Sequence, residues 1–290
     1  MSIKDIISQF KRQKNSSIII YGATASGKSA LALEIANQLQ DAIIINSDSM
    51  QIYKEIPIIT AQPSDLTGHY LYGFLSYKDK SFSVARWLVM VRDIINFTNK
   101  IPIIVGGTGM YISSLINGLS QIPLIPDEIT KNVTNDYDQY GLEYIRNKLS
   151  KVDSITAKKF SDKQRIIRAL SVYQATGKTI FQLQMENHQY IETEKIMKIW
   201  VKLNRNIIYE RINKRFIEII QTGAIDEARA LIEKNFDNLP KAIGLKEIIQ
   251  YIKDEISKEN MISIVQQITR NYAKRQETWF RNQIESDIIL

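Results

Sequence analysis

Residues 17–36 constrain the fold of this chain more than any other stretch. The apolar run Ser17-Ile18-Ile19-Ile20-Tyr21 leads directly into Gly22-Ala23-Thr24-Ala25-Ser26-Gly27-Lys28-Ser29. Ala30-Leu31-Ala32-Leu33-Glu34-Ile35-Ala36 follows with an apolar stripe at helical spacing. Strand, glycine loop, lysine, hydroxyl and helix, in that order, form the pattern of a phosphate-binding loop. Backbone N–H groups and the positive end of the helix dipole converge there on an anion. Gly22 and Gly27 permit backbone angles that a side chain would block. Lys28 adds a point charge for the outer phosphates, and Ser29 offers a hydroxyl to a magnesium ion, Mg2+. A chance glycine-rich turn is the plain alternative, but it does not account for strand, spacing and helix together. The pattern leaves open which phosphate compound binds, and whether phosphate is transferred or leaves.

The flanking strands set the fold class. Ala42–Asn46 and Ile101–Val105 are further short apolar runs before helical patterns. This alternation predicts an α/β fold, a P-loop-type parallel sheet core with flanking helices. A fourth strand is expected at Ile196–Leu203. Between the third and fourth, Gln121-Ile122-Pro123-Leu124-Ile125-Pro126 breaks the chain, and several helical patterns follow. One of them, Asp162–Thr176, ends at Gly177 in C-cap position. Residues 121–193 are therefore expected to form an all-helical insertion domain, with 1–120 and 194–290 as the core. After the fourth strand only helices are expected, over 205–222, 224–234, 245–253 and 259–282.

Charge and composition narrow the partners. The chain has 290 residues, 44% of them hydrophobic and 24% charged, as in soluble globular proteins. With no cysteine, it has no disulfide, thiolate zinc site or thiol nucleophile. His69 and His188 stand far apart and read as ordinary loop residues, so no dedicated transition-metal site is expected. Ile3, Ile6, Ile7 and Phe10 among charged residues predict a short amphipathic helix, too interrupted for a signal peptide. No run has the length of a membrane span, so no membrane association and a cytoplasmic location are expected. Of the net +7, about +6 falls between Gly141 and Thr179. A solvated helical face and a polyanionic partner such as RNA both explain that excess.

The chemistry at the strand ends departs from a kinase. Phosphoryl transfer normally uses an acid at the end of another strand to hold magnesium. The third strand runs into Val105-Gly106-Gly107-Thr108-Gly109, which has no carboxylate; the second runs into Asn46-Ser47-Asp48-Ser49. Asp48 and Thr108 are thus expected at the carboxyl edge of the sheet, beside the phosphate loop, where α/β enzymes place chemistry. A helix-cap role for Asp48 is the alternative. Three functions fit at this point: a transferase acting on a diphosphate, an ATP-dependent small-molecule kinase, and an RNA-binding protein with a vestigial loop.

Six blocks resemble one family. They are Gly22–Ser29, Asn46-Ser47-Asp48-Ser49-Met50-Gln51-Ile52-Tyr53, Val105–Tyr111, Gln164–Leu170, Ala242–Glu247 and Thr269–Trp279. In this order they resemble the tRNA dimethylallyltransferase (tRNA isopentenyltransferase) family across nearly the whole chain. The resemblance implies transfer of a dimethylallyl group from dimethylallyl diphosphate to N6 of adenosine 37, next to the anticodon of tRNA; a monomer is expected, although the sequence leaves oligomeric state open. It implies Asp48 as the base, accepting the amine proton as the N–C bond forms, with Thr108 orienting the amine. It puts Thr24, Ser26, Gly27, Lys28 and Ser29, with Arg215, around the diphosphate. Read from sequence alone, Arg215 serves equally as a surface partner of Glu210 or Glu218.

The same resemblance assigns tRNA contacts to Asp48, Ser49, Met50, Gln51 and Thr108, and to Thr130, Lys163, Gln164, Arg165 and Arg168 in the insertion. In the C-terminal part it assigns them to Gly244, Lys246, Arg270, Lys274, Arg275 and Arg281. Arg270, Lys274 and Arg281 fall near one helical face, with Ile264, Ile268 and Trp279 left for the core. Tyr272 and Trp279 are expected to pack rather than stack on bases. Two positions depart from the family pattern: Thr130 stands where an arginine is common, and Leu245 where tyrosine is usual. The absence of a cysteine-bearing zinc module indicates the bacterial form.

Overall fold

A computed structural model describes residues 1–79, 81–120, 122–185, 187–188, 195–234 and 239–290. The expected insertion boundaries, at 121 and 193–194, fall outside these residues. Two compact units result: Met1–Ile116 with Ile191–Leu290, and Asn117–Tyr190.

The first unit contains β1 (Ser17–Gly22), β2 (Ala42–Asn46), β3 (His69–Tyr70), β4 (Ile101–Gly106), β7 (Ile196–Val201) and β8 (Ile288–Ile289). They form one sheet in the order β3-β2-β4-β1-β7-β8, and every pairing is parallel. The expected strands are thus present; the short edge strands β3 and β8 are additions, so the C-terminal part is not wholly helical. His69 lies in β3 and not in a loop.

Strand β1 is apolar without alternation because both of its faces are covered. Ile18 and Ile20 pack with Ile6 and Phe10 of α1 (Ile3–Arg12) and with Ala32 and Ile35 of α2 (Lys28–Leu39). Tyr21 packs against Phe280 of α12 (Lys258–Gln283), with ring centroids 5.0 Å apart. Further helices of this unit are α3 (Val84–Phe97), α4 (Gly109–Asn117), α9 (Arg205–Gln221), α10 (Ala224–Glu233) and α11 (Leu245–Ile252). A second core, with Ile56, Ile59, Phe216, Leu245, Ile248 and Val265 among its members, joins α9–α12 to the loop after β2. Leu245, at the position where the family pattern has tyrosine, is 1% exposed and part of that core.

The second unit holds α5 (Asp127–Ser150), α6 (Ser154–Lys159), α7 (Lys163–Thr176) and α8 (Ile180–Met185). Gly141 breaks α5 with a φ of 83°. The α7 boundaries match the expected helix, with Asp162 as N-cap and Gly177 as a left-handed C-cap. The unit is not purely helical: β5 (Leu119–Ser120) pairs antiparallel with β6 (Asn187–His188). His188 therefore also sits in a strand. Over its whole length this unit has ten basic and eight acidic residues, a net +2. The local excess after Gly141 is offset by acids just before it, through the ion pairs Lys148–Asp136 (2.8 Å) and Lys163–Asp138 (3.4 Å). Among the described residues, no helix is long and apolar enough to cross a membrane.

Candidate active site

The phosphate loop is built where β1 ends and α2 begins. Gly27 caps α2 with φ 95°, and Ala25 is also left-handed at φ 62°. These reversals turn successive N–H groups toward one concavity, at a cost of about 1–2 kcal/mol for the alanine. Gly22 serves a different purpose from the expected one. Its φ is not positive; a Cβ there would run into the Val201 carbonyl of β7. Lys28 is buried, 8% exposed, and its Nζ donates to the Ala23 carbonyl at 3.2 Å. Burial lowers its pKa to about 8; Asp48 counteracts this and Arg215 reinforces it. The Ser26 hydroxyl is buried without a partner in the loop.

The carboxyl ends of β2 and β4 form the facing wall. Asn46 is fully buried: its amide accepts from the Asp48 N–H at 2.8 Å and donates to the Asp48 and Leu71 carbonyls. That bracing fixes the turn that presents Asp48. One carboxylate oxygen, Oδ1, accepts the Met50 N–H at 3.0 Å. Thr108 Oγ1 accepts the Ser49 N–H at 2.9 Å and donates to Ser49 Oγ at 3.1 Å. Gly106 has no room for a side chain, since a Cβ would collide with Ser47.

A single cavity joins these parts. Thr24, Lys28, Ser29, Asp48 and Arg215 are among its polar lining residues, and Ile59, Ile212, Phe216, Ile219, Ile243 and Val265 among its apolar ones. Arg215 reaches the loop from α9, its Nη1 3.4 Å from Thr24 Oγ1. Burial lowers the Arg215 pKa, opposed by Asp48 and Glu218. The cavity therefore combines the buried Lys28 and the half-buried Arg215 with a wall of hydrocarbon side chains. That combination suits a short apolar chain attached to a polyanion.

Known proteins carry the same arrangement of chain. Residues 51–283 match the family model described as IPP transferase. The chain belongs to the IPP transferase family. It is similar to a tRNA dimethylallyltransferase of Wolbachia pipientis wMel, 44% identical over 288 residues and 96% of each chain. A tRNA dimethylallyltransferase of Rickettsia bellii (strain OSU 85-389) is 41% identical, over 96% of this chain and 91% of the relative. Among solved structures, a eukaryotic dimethylallyltransferase acting on tRNA superposes with a TM-score of 0.80 at 27% identity, over 94% of this chain and 73% of that one. The tRNA isopentenylpyrophosphate transferase of Bacillus halodurans gives 0.64 at 28% identity, over 95% and 89%.

Of the residues expected around the diphosphate, Thr24, Lys28, Ser29 and Arg215 line one cavity with Asp48, Met50 and Gln51, whereas Ser26 and Gly27 do not line it. Gln51 spends both amide protons on the Thr60 and Ala61 carbonyls, at 3.0 and 2.8 Å, and so braces the cavity wall. Tyr272, expected to pack rather than stack on bases, is half-buried. It lines the cavity, and burial with Asp48 nearby holds its pKa above the usual phenol value. Trp279 packs edge-on to Phe280 and leaves no room for a Cβ at Gly109.

The core face of α12 is also not the expected one. Met261, Val265, Ala273, Gln276 and Phe280 are buried, whereas Ile264 is 40% exposed. Arg270 is held between helices, donating to Asn213 Oδ1 and Gln267 Oε1, each at 2.7 Å. Lys274 and Arg275 are exposed with Asn271, Thr278 and Asn282 along one groove, and Arg281 pairs with Glu277 at 3.5 Å. Gly244, with φ 91°, caps α11 beside Val265, and Lys246 is exposed. Thr130, Lys163, Gln164, Arg165 and Arg168 belong to the second unit; the last three present an exposed polar side of α7.

Two site residues escaped the sequence reading. Arg211, one turn before Arg215, donates to the Ser26 carbonyl at 3.4 Å. The i, i+4 spacing of the two arginines was the available signal. Gln276 is the other. It is 6% exposed, accepts the Thr24 N–H and donates to the Gly107 carbonyl, both at 2.8 Å.

Proposed function

We propose that this chain transfers the dimethylallyl group of dimethylallyl diphosphate to N6 of adenosine 37 in tRNA. The carrying observation is one cavity lined by the cations Lys28 and Arg215, by the apolar Ile59, Phe216 and Val265, and by Asp48. The reaction breaks the bond between the allylic carbon and the diphosphate oxygen and forms a bond from that carbon to N6. The electron pair of the broken bond leaves with the diphosphate, so negative charge grows beside those cations. Preorganised N–H groups, Lys28 and Arg215 stabilise it without reorganising. The amine becomes acidic only as its bond to carbon forms, and Asp48 then accepts its proton. With Oδ1 oriented by the Met50 N–H, and no hydrogen bond to Oδ2 among the described residues, Oδ2 is the receiving atom.

The donor set fits magnesium. Ser29 and Asp48 line the same cavity, and no cluster of three or more metal-binding side chains exists among the described residues. Magnesium is characteristically held by few protein oxygens, with water and substrate phosphates completing its shell. Ser29 would hold it, and the ion when bound neutralises charge on the departing diphosphate. The flipped adenosine is held by Ser49, Met50 and Thr108, and the tRNA by the exposed bases Lys246, Lys274, Arg275 and Arg281 with Thr130, Lys163, Gln164, Arg165 and Arg168. Arg270 and Gly244 act by holding α9, α11 and α12 together. A tRNA substrate suits the cytoplasm, and the protein acts as a monomer.

The test supplies the protein with magnesium, unmodified tRNA and radiolabelled dimethylallyl diphosphate. Label is expected in RNA at a single adenosine. Asp48→Asn is expected to lower kcat by roughly 10²–10⁴-fold, with tRNA affinity held within about threefold. ATP-dependent phosphorylation without prenylation would overturn the assignment.

A further inference from the structure

Helix α12 meets the catalytic loops through three residues spaced one turn apart. Ala273 shares a core with Ala23 of the phosphate loop, and Trp279 lies against Gly109 after β4. Between them Gln276 touches both loops at once. Its amide orientation is set by chemistry: the Thr24 N–H can only donate and the Gly107 carbonyl can only accept. Gly107 has the matching shape, since a Cβ there would collide with Gln276 Nε2. Tyr272, one turn earlier on the same helix, lines the cavity with Thr24.

We propose that Gln276 is a positioning residue that clips the phosphate loop to the Thr108 loop and so fixes the separation of the diphosphate end from the acceptor end. This rests on the transferase reading above. A buried amide satisfied on both sides is costly to disturb, and a neutral group is required. A carboxylate in its place would still accept from Thr24 but would face the Gly107 carbonyl without a proton to donate. The clip also withdraws the Thr24 N–H from the anion cradle. The cradle is then formed by the N–H groups of Ala25, Gly27, Lys28 and Ser29. In-line displacement is sensitive to misplacement on the ångström scale, so loosening the clip acts on turnover before binding.

The experiment combines kinetics with binding of inorganic pyrophosphate. Q276A and Q276E are expected to lose roughly 10- to 100-fold in kcat. The pyrophosphate Kd should change by less than about threefold, and the KM for dimethylallyl diphosphate should change little. Because Q276A makes room for a Cβ at residue 107, G107A/Q276A should be no slower than Q276A, although G107A alone is impaired. Near-normal kcat in Q276A, or additive losses in the double variant, would overturn the clip. If the variants do not fold, amide exchange in the wild-type protein decides. The Thr24 amide should be protected without ligand and unchanged by pyrophosphate, while the Ala25, Gly27, Lys28 and Ser29 amides gain protection. A Thr24 amide protected only by pyrophosphate would overturn the proposal. Failure of the wild type to prenylate tRNA would instead sink the transferase reading, leaving the exchange result to judge the clip alone.

Discussion

Lys28 shows how much of the site a single residue can report. Its ammonium is buried, and its pKa falls to about 8 from an ordinary 10.5, mainly through burial. The sign for stability follows: the folded state sheds this proton more readily than the unfolded chain. Burying the charge therefore costs stability below about pH 8, and that cost fades as pH rises from 8 toward 10.5. For ligand binding the direction is opposite. Pyrophosphate affinity of the free protein should decline as pH rises through about 8, with one proton taken up on binding above that pH. Calorimetry in buffers of different ionisation heat measures this, and K28M should bind weakly with no such dependence; an unchanged pH profile in K28M would remove Lys28 as the titrating group. The meeting of Lys28, Ser29 and Asp48 in one cavity was legible because a short motif and a strand end carry them. Gln276 and Tyr272 were not: their meaning depends on loops some 170 and 250 residues away in sequence. Gly22 was recognised for the wrong reason, since its need is the approach of β7 and not a left-handed angle.

At the level of elements, local signals were read well and partner-dependent ones poorly. α7 was legible to within one residue because Asp162 and Gly177 are caps with a mechanism of their own. The two-residue strands β3 and β8 were not, because a strand that short has no period and exists through its neighbour's hydrogen bonds. The buried side of α12 was misassigned because its amphipathic pattern is interrupted by Gln276, a polar residue inside. Gly244 offers a test of element packing. Its φ of 91° and the 3.0 Å from its would-be Cβ to Val265 Cγ1 both oppose a side chain. Gly244→Ala should lower the unfolding free energy by about 1–2 kcal/mol in urea titrations. An unchanged midpoint would show that α11 shifts freely on α12.

Across the whole molecule, charge is distributed differently from the local excess seen in sequence. The unit Asn117–Tyr190 is only +2, and the remaining +5 lies in the unit carrying the sheet. Salt should therefore weaken tRNA binding through both units. R165Q/R168Q should make the slope of log affinity against log salt shallower by at most about 2, with a substantial slope remaining. A slope near zero in that variant would place all phosphate contacts in the smaller unit. The pairing of β5 with β6 has a consequence of another kind. Leu119 and Ser120 sit opposite His188 and Asn187, so the excursion leaves and returns at adjacent points, about 5 Å apart. In loop-closure terms the core sees a hairpin and not a chain of that length. An excursion closed at its own neck can be lengthened, shortened or exchanged beyond it with little entropic effect on the sheet that holds the chemistry.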